Sequence, residues 1–240
     1  MIIGRGLVGN SLRIIDAESY LFYANGISNS VLQEIPRHNF ELNEIKELVK
    51  KNQDKLFVYF STSQVNSKLN YDRAYVKHKL LAEDLVRSNF EKYLVVRTSN
   101  LVGHNPWNSH TLFNYLCNAL KSEERITINP DVIRNFLDAE HFALLLQTYL
   151  NNYGSNRTIE IVNPVSFTMD EIRRQFEKYF SKEFVFEKVE SLNNFAVFEL
   201  NTGLSVELLA QCDICTDDYI ACLLKKYYRQ DSPETMKHVH

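Results

Sequence analysis

Met1-Ile2-Ile3-Gly4-Arg5-Gly6-Leu7-Val8-Gly9 opens the chain, and the reading of this stretch decides the fold. A short apolar run passes directly into three glycines spaced Gly-x-Gly-x-x-Gly, and a segment of helical period follows from Leu7 to about Ile15. The chain holds only 7 glycines in 240 residues, fewer than the average of about 7%, so three inside one hexapeptide are not chance clustering. In a strand-turn-helix context the first glycine permits the tight turn and the second lets a pyrophosphate approach the backbone. The third lets helix and strand pack closely. The helix start then offers unpaired N–H groups and a favourable dipole to phosphate. The alternative is a tight β-to-α turn with no ligand.

The chain then departs from the usual dinucleotide pattern. An Asp or Glu on a second strand, ~20 residues past the glycines, ordinarily binds the adenine ribose. Here Asp16-Ala17-Glu18-Ser19 runs straight into Tyr20-Leu21-Phe22-Tyr23-Ala24 and the turn Asn25-Gly26-Ile27-Ser28, with no room for intervening strands. The adenosine half of a cofactor site is therefore reduced. Arg5, inside the glycine turn, is the nearest candidate to touch a ribose or phosphate; a solvated loop arginine is the equal alternative.

Farther along, apolar runs alternate with helix-period segments, as in a mostly parallel sheet covered by helices. Strands are expected at Met1–Ile3, Tyr20–Ala24, Leu56–Phe60, Tyr93–Arg97 and Ile159–Val162. Helices are expected at Leu7–Ile15, Leu42–Asn52, Ala74–Arg87, Ser109–Lys121, Ala139–Leu150, Thr168–Tyr179 and Ser205–Ala210, with another near Asp217–Tyr228. Thr168 reads as an N-cap with Glu171 three residues on. The tail Gln230–His240 is polar and is expected to fray.

A chain of this length, 45% hydrophobic, can bury a full core. Its net charge of −3 and lack of a long basic run point away from a nucleic-acid or anionic-membrane surface. No apolar stretch approaches ~18 residues and the start has no signal-peptide pattern, so the expectation is a soluble cytoplasmic protein with no membrane partner. The 4 cysteines form no disulfide framework. Cys212-Asp-Ile-Cys215 has no second pair and no histidine at ligand spacing, and no metal site is expected.

The chemistry-bearing residues lie in the middle of the chain. Tyr75 and Lys79 are four apart on an expected helix and so share a face. A free phenol titrates near pH ~10, and a neighbouring ammonium lowers that value, making the tyrosine a usable acid/base. Isolated, the spacing is common on solvated helices. Its weight comes from the glycine turn and from Ser61-Thr62-Ser63, which ends the hydrophobic run Phe57-Val-Tyr-Phe60.

Together these motifs resemble the extended short-chain dehydrogenases/reductases, the NAD-dependent epimerase/dehydratase group that acts mainly on nucleotide sugars. Gly4-x-Gly6-x-x-Gly9 is similar to the family's first turn, Phe57 to Ser63 to the strand bearing its catalytic Ser/Thr, and Tyr75-x-x-x-Lys79 to its catalytic pair. Arg97-Thr-Ser-Asn100-Leu-Val-Gly103, Arg134-Asn-Phe-Leu-Asp138-Ala-Glu140 and Ile161-Val-Asn163-Pro resemble later family segments in the same order. The departure is the missing second and third strands, which mark a compact member.

The resemblance implies an α/β fold: a Rossmann-like, mostly parallel sheet with helices on both faces, reduced at the adenosine end, plus a small C-terminal substrate lobe. Residues 1–103 and 136–163 would form the dinucleotide-binding part, and 104–135 with 164–240 the lobe. It implies NAD or NADP as cofactor, held by Gly4, Arg5, Gly6, Leu7, Val8, Gly9, Ala24, Asn25, Gly26, Ser61 and Lys79. Tyr75 would exchange a proton with a sugar hydroxyl or keto oxygen, with Lys79 lowering its pKa and Thr62 bonding the same oxygen. Ser63, Asn100 and Arg134 would meet the nucleotide-sugar substrate; for Asn100 and Arg134 a purely structural hydrogen-bonding role is the alternative.

Family dehydratases carry an Asp-Glu pair directly after the catalytic threonine. Ser63 and Gln64 stand there, which disfavours dehydration. Redox remains, with a reductase in polysaccharide or glycan precursor synthesis preferred over an epimerase, because a site lacking the ribose carboxylate retains cofactor less well. A non-catalytic nucleotide-binding or regulatory protein is the reading of another class. A homodimer through the helices near Leu42–Asn52 and Ala74–Arg87 is expected, with Leu80, Leu81, Leu85 and Val86 as its apolar surface.

Overall fold

Side chains alternate between two buried faces along Leu21-Phe22-Tyr23, Phe57-Val58-Tyr59-Phe60 and Leu94-Val95-Val96, as a strand's period of two requires when helices cover both sides. The computed structural model describes residues 1–15, 18–28, 35–104, 111–189 and 199–228. In chain order its elements are β1 (Ile2–Ile3), α1 (Leu7–Ser11), β2 (Tyr20–Tyr23), α2 (Ile35–Val49), β3 (Leu56–Thr62), α3 (Ala74–Asn89), β4 (Tyr93–Thr98) and β5 (Asn100–Val102). They continue with α4 (Leu112–Ser122), β6 (Ile126–Ile128), β7 (Ile133–Arg134), β8 (Phe136–Asp138), α5 (Ala139–Asn152) and β9 (Arg157–Ile161). The last are β10 (Phe167–Thr168), α6 (Met169–Phe180), β11 (Phe186–Lys188), α7 (Gly203–Gln211) and α8 (Tyr219–Tyr227).

The central sheet is five-stranded in the order β1-β2-β3-β4-β9, and every pairing in it is parallel. β1 pairs directly with β2 through Ile2 opposite Phe22 and Ile3 opposite Tyr23. The two strands that ordinarily stand beyond β1 have no counterpart among the described residues. Smaller pairs flank the sheet: β5 with β8 and β6 with β11 are parallel, β7 with β10 antiparallel.

One face of the sheet is covered by α2 and α3, where Ile45, Ala82 and Val86 meet Leu21, Tyr23, Phe57, Tyr59 and Val95. The other is covered by α1 with the turn that follows it, and by α5, where Leu12, Phe142, Leu145 and Leu146 meet Phe22, Val58, Phe60, Leu94 and Val96. That second core continues without a break into α4, α6, α7 and α8. All steps between strands run in one direction across the sheet, yet α1 and α2 lie on opposite faces. The crossover β1-α1-β2 is therefore opposite in hand to β2-α2-β3. A crevice opens where the chain leaves β1 for one face and β2 for the other, at the carboxyl ends of the strands.

Most element boundaries fall within a few residues of those the sequence predicts, and Thr168 with Glu171 forms the full capping box. α2 is the exception, starting at Ile35 and ending at Val49 where Leu42–Asn52 was expected. Its first turns are polar outside and hide Glu41 inside, so the apolar period surfaces only at Leu42; Pro36 is tolerated there because a first-turn N–H has no helical partner. The expected start of α4 at Ser109 and the polar tail 230–240 lie outside the described residues. Cys212-Asp-Ile-Cys215 sits in the turn after α7. No metal-ligand cluster occurs among the described residues, and no described helix is long and apolar enough to cross a membrane.

The apolar surface expected on α3 is smaller than its sequence implies. Val86 is fully buried, Leu85 packs on the same core, and Leu80 packs on the cluster of Val65, Tyr75 and Val76. Leu81 alone of the four is exposed, at 59%.

Phe142 is fully buried on α5 and meets Phe60 edge-on, with ring centroids 5.8 Å apart. Phe142→Ala is expected to cost about 3–5 kcal/mol by urea denaturation. Leu144→Ala, at a position 37% exposed on the same helix, is expected to cost less than ~1 kcal/mol.

Candidate active site

The crevice holds a cavity of about 650 Å³ whose wall includes Arg5, Gly6, Leu7 and Val8 from the glycine turn and Ala24 to Ser28 from the loop after β2. Ser61, Thr62 and Ser63 at the end of β3 line it, as do Tyr75 and Lys79 on α3 and Ser99 and Asn100 after β4. Leu112, Phe113, Tyr115 and Leu200 give it an apolar side. The carboxyl ends of β1, β2, β3 and β4 thus bring to one place residues spread over most of the chain.

The glycine turn has the shape the spacing predicts. Gly4 has φ +115°, and a Cβ there would lie 2.3 Å from the Ala24 carbonyl oxygen. A Cβ on Gly9 would lie 2.4 Å from the Gly4 carbonyl oxygen. Neither glycine lines the cavity; they shape the turn that does. Gly6 faces open space with nothing within 4 Å of its missing Cβ, and α1 begins there with no side-chain cap. The N–H groups at the helix start are therefore available to a ligand.

Thr62 ends β3 and accepts a hydrogen bond from the Gln64 N–H at 3.2 Å. Tyr75 is 6% exposed. Burial pushes its phenol well above the usual range, while a hydrogen bond with Thr62 works in the opposite direction and the Glu41 charge pushes it higher still. The charges that act on it are those of Glu41, which raises it, and Arg73, which lowers it.

Lys79 is 2% exposed, and its ammonium bonds Glu41 Oε1 at 3.2 Å, the Tyr59 hydroxyl at 3.0 Å and the Phe60 carbonyl at 3.5 Å. An ammonium has three donors; Glu41 and Tyr59 take two, and the third has only the long contact to the Phe60 carbonyl on a residue that lines the cavity.

Glu41 is the residue that the sequence reading missed. It is 1% exposed and accepts from Tyr59 Oη at 2.7 Å and from the Ile27 N–H at 2.8 Å, besides Lys79; His78 Nε2 lies 2.9 Å away. His38, in turn, stacks on His78 with ring centroids 4.3 Å apart. Burial opposes ionisation of the Glu41 carboxyl, but Lys79, His78, Ile27 and Tyr59 outweigh it and hold the carboxyl down at about 2. Gly26 lies directly over the pair: a Cβ there would be 2.8 Å from both Glu41 Oε1 and Lys79 Nζ. The available signal was the i,i+3 and i,i+4 placement of His38, Glu41 and Ile45, which puts Glu41 on the apolar face of α2.

Other predicted residues are engaged too. The Ser61 hydroxyl donates to Glu83 at 2.6 Å, and Glu83 in turn holds Arg97. Asn25 Nδ2 donates to Glu44 at 3.0 Å. Asn100 Nδ2 donates to the Asn135 carbonyl at 3.0 Å. Asn135, 1% exposed, ties the strand pair β5-β8 to the segment after β9 through the Asn163 and Val165 carbonyls. Arg134 lies off the cavity wall; its Nη1 donates to the Ile133 carbonyl, and burial and nearby Arg73 depress its basicity. Ser99 Oγ is buried, with no hydrogen-bond partner among the described residues, at the cavity wall.

No family model matches the sequence, and no curated protein matches it. Solved structures do share its fold. RMD from Pseudomonas aeruginosa, in complex with NADPH, matches with a TM-score of 0.67 at 13% identity over 93% of this chain and 86% of its own. The dTDP-4-dehydrorhamnose reductase of Bacillus anthracis, in complex with NADP, gives 0.66 at 15% identity over 86% and 80%. The UDP-glucose 4-epimerase of Bifidobacterium longum, in complex with NAD+ and UDP, gives 0.67 at 12% identity over 91% and 79%. These likenesses establish the fold: a Rossmann-type α/β sheet of the kind on which such reductases and epimerases are built.

The Glu41 carboxyl also gives the fold an acid-sensitive limb. Its folded value lies below that of a free glutamate, near ~4.3, so its contribution is complete above that range and is lost as the pH falls towards about 2. Urea denaturation between about pH 5 and about pH 2 is expected to show this loss, and Glu41→Gln to flatten it.

Proposed function

We propose that the chain is an NAD(P)-dependent oxidoreductase acting on a hydroxyl or keto group of a nucleotide sugar, specifically a reductase in polysaccharide or glycan precursor synthesis. The observation that supports this most directly is that Thr62, Tyr75 and Lys79 open, together with the glycine turn, onto one cavity. The nicotinamide cofactors of the solved neighbours, and the UDP of one of them, agree with it.

The residues fit such a cofactor. Gly6 leaves the backbone open where a pyrophosphate would lie, and the start of α1 presents N–H groups to it. Ala24, Asn25 and Gly26 form the opposite wall. The orphaned Ser99 hydroxyl calls for a polar ligand atom, because a buried hydroxyl left unpaired costs about 1–3 kcal/mol. A bound nicotinamide supplies or accepts hydride. Tyr75 exchanges the proton at the sugar oxygen, and Thr62 orients that oxygen by hydrogen bonding. Residues 1–103 and 136–163 bind the dinucleotide in this reading, and 104–135 with 164–240 bind the sugar. In this reading Asn100 and Ser63, both on the cavity wall, meet the nucleotide sugar, while Arg134 is not part of that wall.

Two chains would pair through the outer faces of α2 and α3, where Phe40 and Leu81 are 62% and 59% exposed. A non-catalytic nucleotide-binding protein is the second reading, and the engagement of Lys79 by Glu41 is what favours it.

Tyr75→Phe separates the two readings. It removes one hydroxyl and no core volume, so the fold is expected to stay within ~1 kcal/mol of wild type. Oxidation of NAD(P)H with 4-keto nucleotide sugars is expected to fall at least a hundredfold. A variant within a few-fold of a measurable wild-type rate removes Tyr75 from the mechanism. NADP(H) binding by a wild type that turns over no keto sugar selects the second reading.

With no opposing ribose carboxylate among the described residues, cofactor is expected to exchange freely, with NAD and NADP affinities within roughly tenfold, or ~1.4 kcal/mol, by calorimetry. Arg5→Ala is expected to erase any preference for NADP. Tightly retained NAD would move the choice to an epimerase.

A further inference from the structure

Leu200 stands on the cavity wall with Leu112, Phe113 and Tyr115, yet among the described residues it packs into none of the hydrophobic cores. What fixes its place is polar and lies on either side of it. The Glu199 carbonyl accepts from Asn66 Nδ2 at 3.3 Å, and the Asn201 N–H donates to Glu160 Oε2 at 2.8 Å. Asn66 Nδ2 also donates to Glu160, at 2.9 and 3.0 Å to its two oxygens, so one carboxylate gathers both contacts. Asn66 ends the turn Ser63–Asn66 that follows Thr62. Its Oδ1 accepts from Arg97 Nη1 at 2.9 Å, and Glu83 holds Arg97 in turn. Glu160, 7% exposed on β9 and opposite Arg97, thus joins the turn after β3 to the segment that enters α7.

This carboxylate is held at a cost to the fold. Burial pushes it above the usual carboxylate range, and the Asn201 N–H, Ser63, Asn66 and Arg97, which all pull it down, do not outweigh that effect. The docking of α7 has a tie of its own: fully buried Ser205 accepts from the Val162 N–H at 3.0 Å and binds the helix to the strand end directly. What Glu160 adds is the position of the residues around Leu200.

We propose that Glu160 is a positioning residue that holds Leu200 on the cavity wall, where Leu200 forms part of the apolar surface against which a nucleotide sugar packs. The inference rests on the nucleotide-sugar reading and extends it to the residue that shapes the substrate side. Leu200 falls in the segment 164–240 assigned to the sugar, so Glu160 acts on substrate affinity and leaves that of the cofactor alone.

The Leu200 methyl groups, assigned in the NMR spectrum by their loss in Leu200→Ala, report this wall in the unliganded protein. Glu160→Gln offers one acceptor oxygen in place of two, and the methyl signals are expected to shift and broaden in it. By calorimetry the same variant is expected to bind UDP-glucose or dTDP-glucose, whichever the wild type takes, at least tenfold more weakly, with NADPH within threefold of wild type. Should the Gln variant not fold, Asn66→Ala removes the donor to both Glu160 and Glu199, and the same pattern is expected. Unmoved methyl signals in a folded variant overturn the proposal, as does unchanged affinity for the nucleotide sugar. Equal losses for nucleotide sugar and NADPH mark a merely structural role and overturn it too. A wild type that binds NADPH and neither nucleotide sugar sinks the nucleotide-sugar reading, and the methyl signals then decide by themselves whether Glu160 positions Leu200.

Discussion

The cavity depends on the contact of Gly4 with the backbone of Ala24. With β1 and β2 hydrogen-bonded as neighbours, the turns that leave them must pass each other at backbone distance, and a side-chain carbon at Gly4 would overlap the Ala24 carbonyl. Gly4 meets this by a positive φ, and Gly9 then lets α1 lie against the turn itself. The two loops diverge to opposite faces of the sheet, and the space between them is where a ligand would lie. A single constraint of backbone approach thus fixes the helix start, the wall at Ala24 to Gly26 and the depth of the crevice.

Much of this was legible because it rests on local rules. The glycine spacing after an apolar run, the alternation along Phe57 to Phe60 and the capping box at Thr168 each depend on residues within a few positions of one another. Thr62, Tyr75 and Lys79 were singled out by type and order, and the structure brings them to one cavity wall. What was not legible is the partner of the lysine. Glu41 lies 38 residues earlier, just ahead of the helix expected from Leu42, and its burial is a consequence of packing between α2, α3 and β3. For the same reason Asn135 reads as an ordinary polar residue, although it ties two segments together beneath the wall. Leu85 and Val86 illustrate the opposite error: apolar residues in excess of one face were read as free surface, whereas they pack on the sheet core.

The buried pair also shows a trade between stability and reactivity. Desolvating Glu41 and Lys79 is costly, and it is offset only because each remaining donor and acceptor finds a partner. Burial of Tyr75 has its own effect, since low-dielectric surroundings disfavour the phenolate. The same packing that closes the floor of the cavity therefore keeps the Tyr75 phenol protonated.

The opposite hand of the first crossover has a consequence for how the chain assembles. β2, β3 and β4 are linked by α2 and α3, each lying close to the strands it joins, so this block can gather from near neighbours. α1 instead settles on the far face, where its helical partner is α5, which is made only after β8. Contacts between segments so distant in sequence form at a larger loop-closure cost. The helix that follows the glycine turn thus gains its full packing only once the segment reaching to α5 is in place.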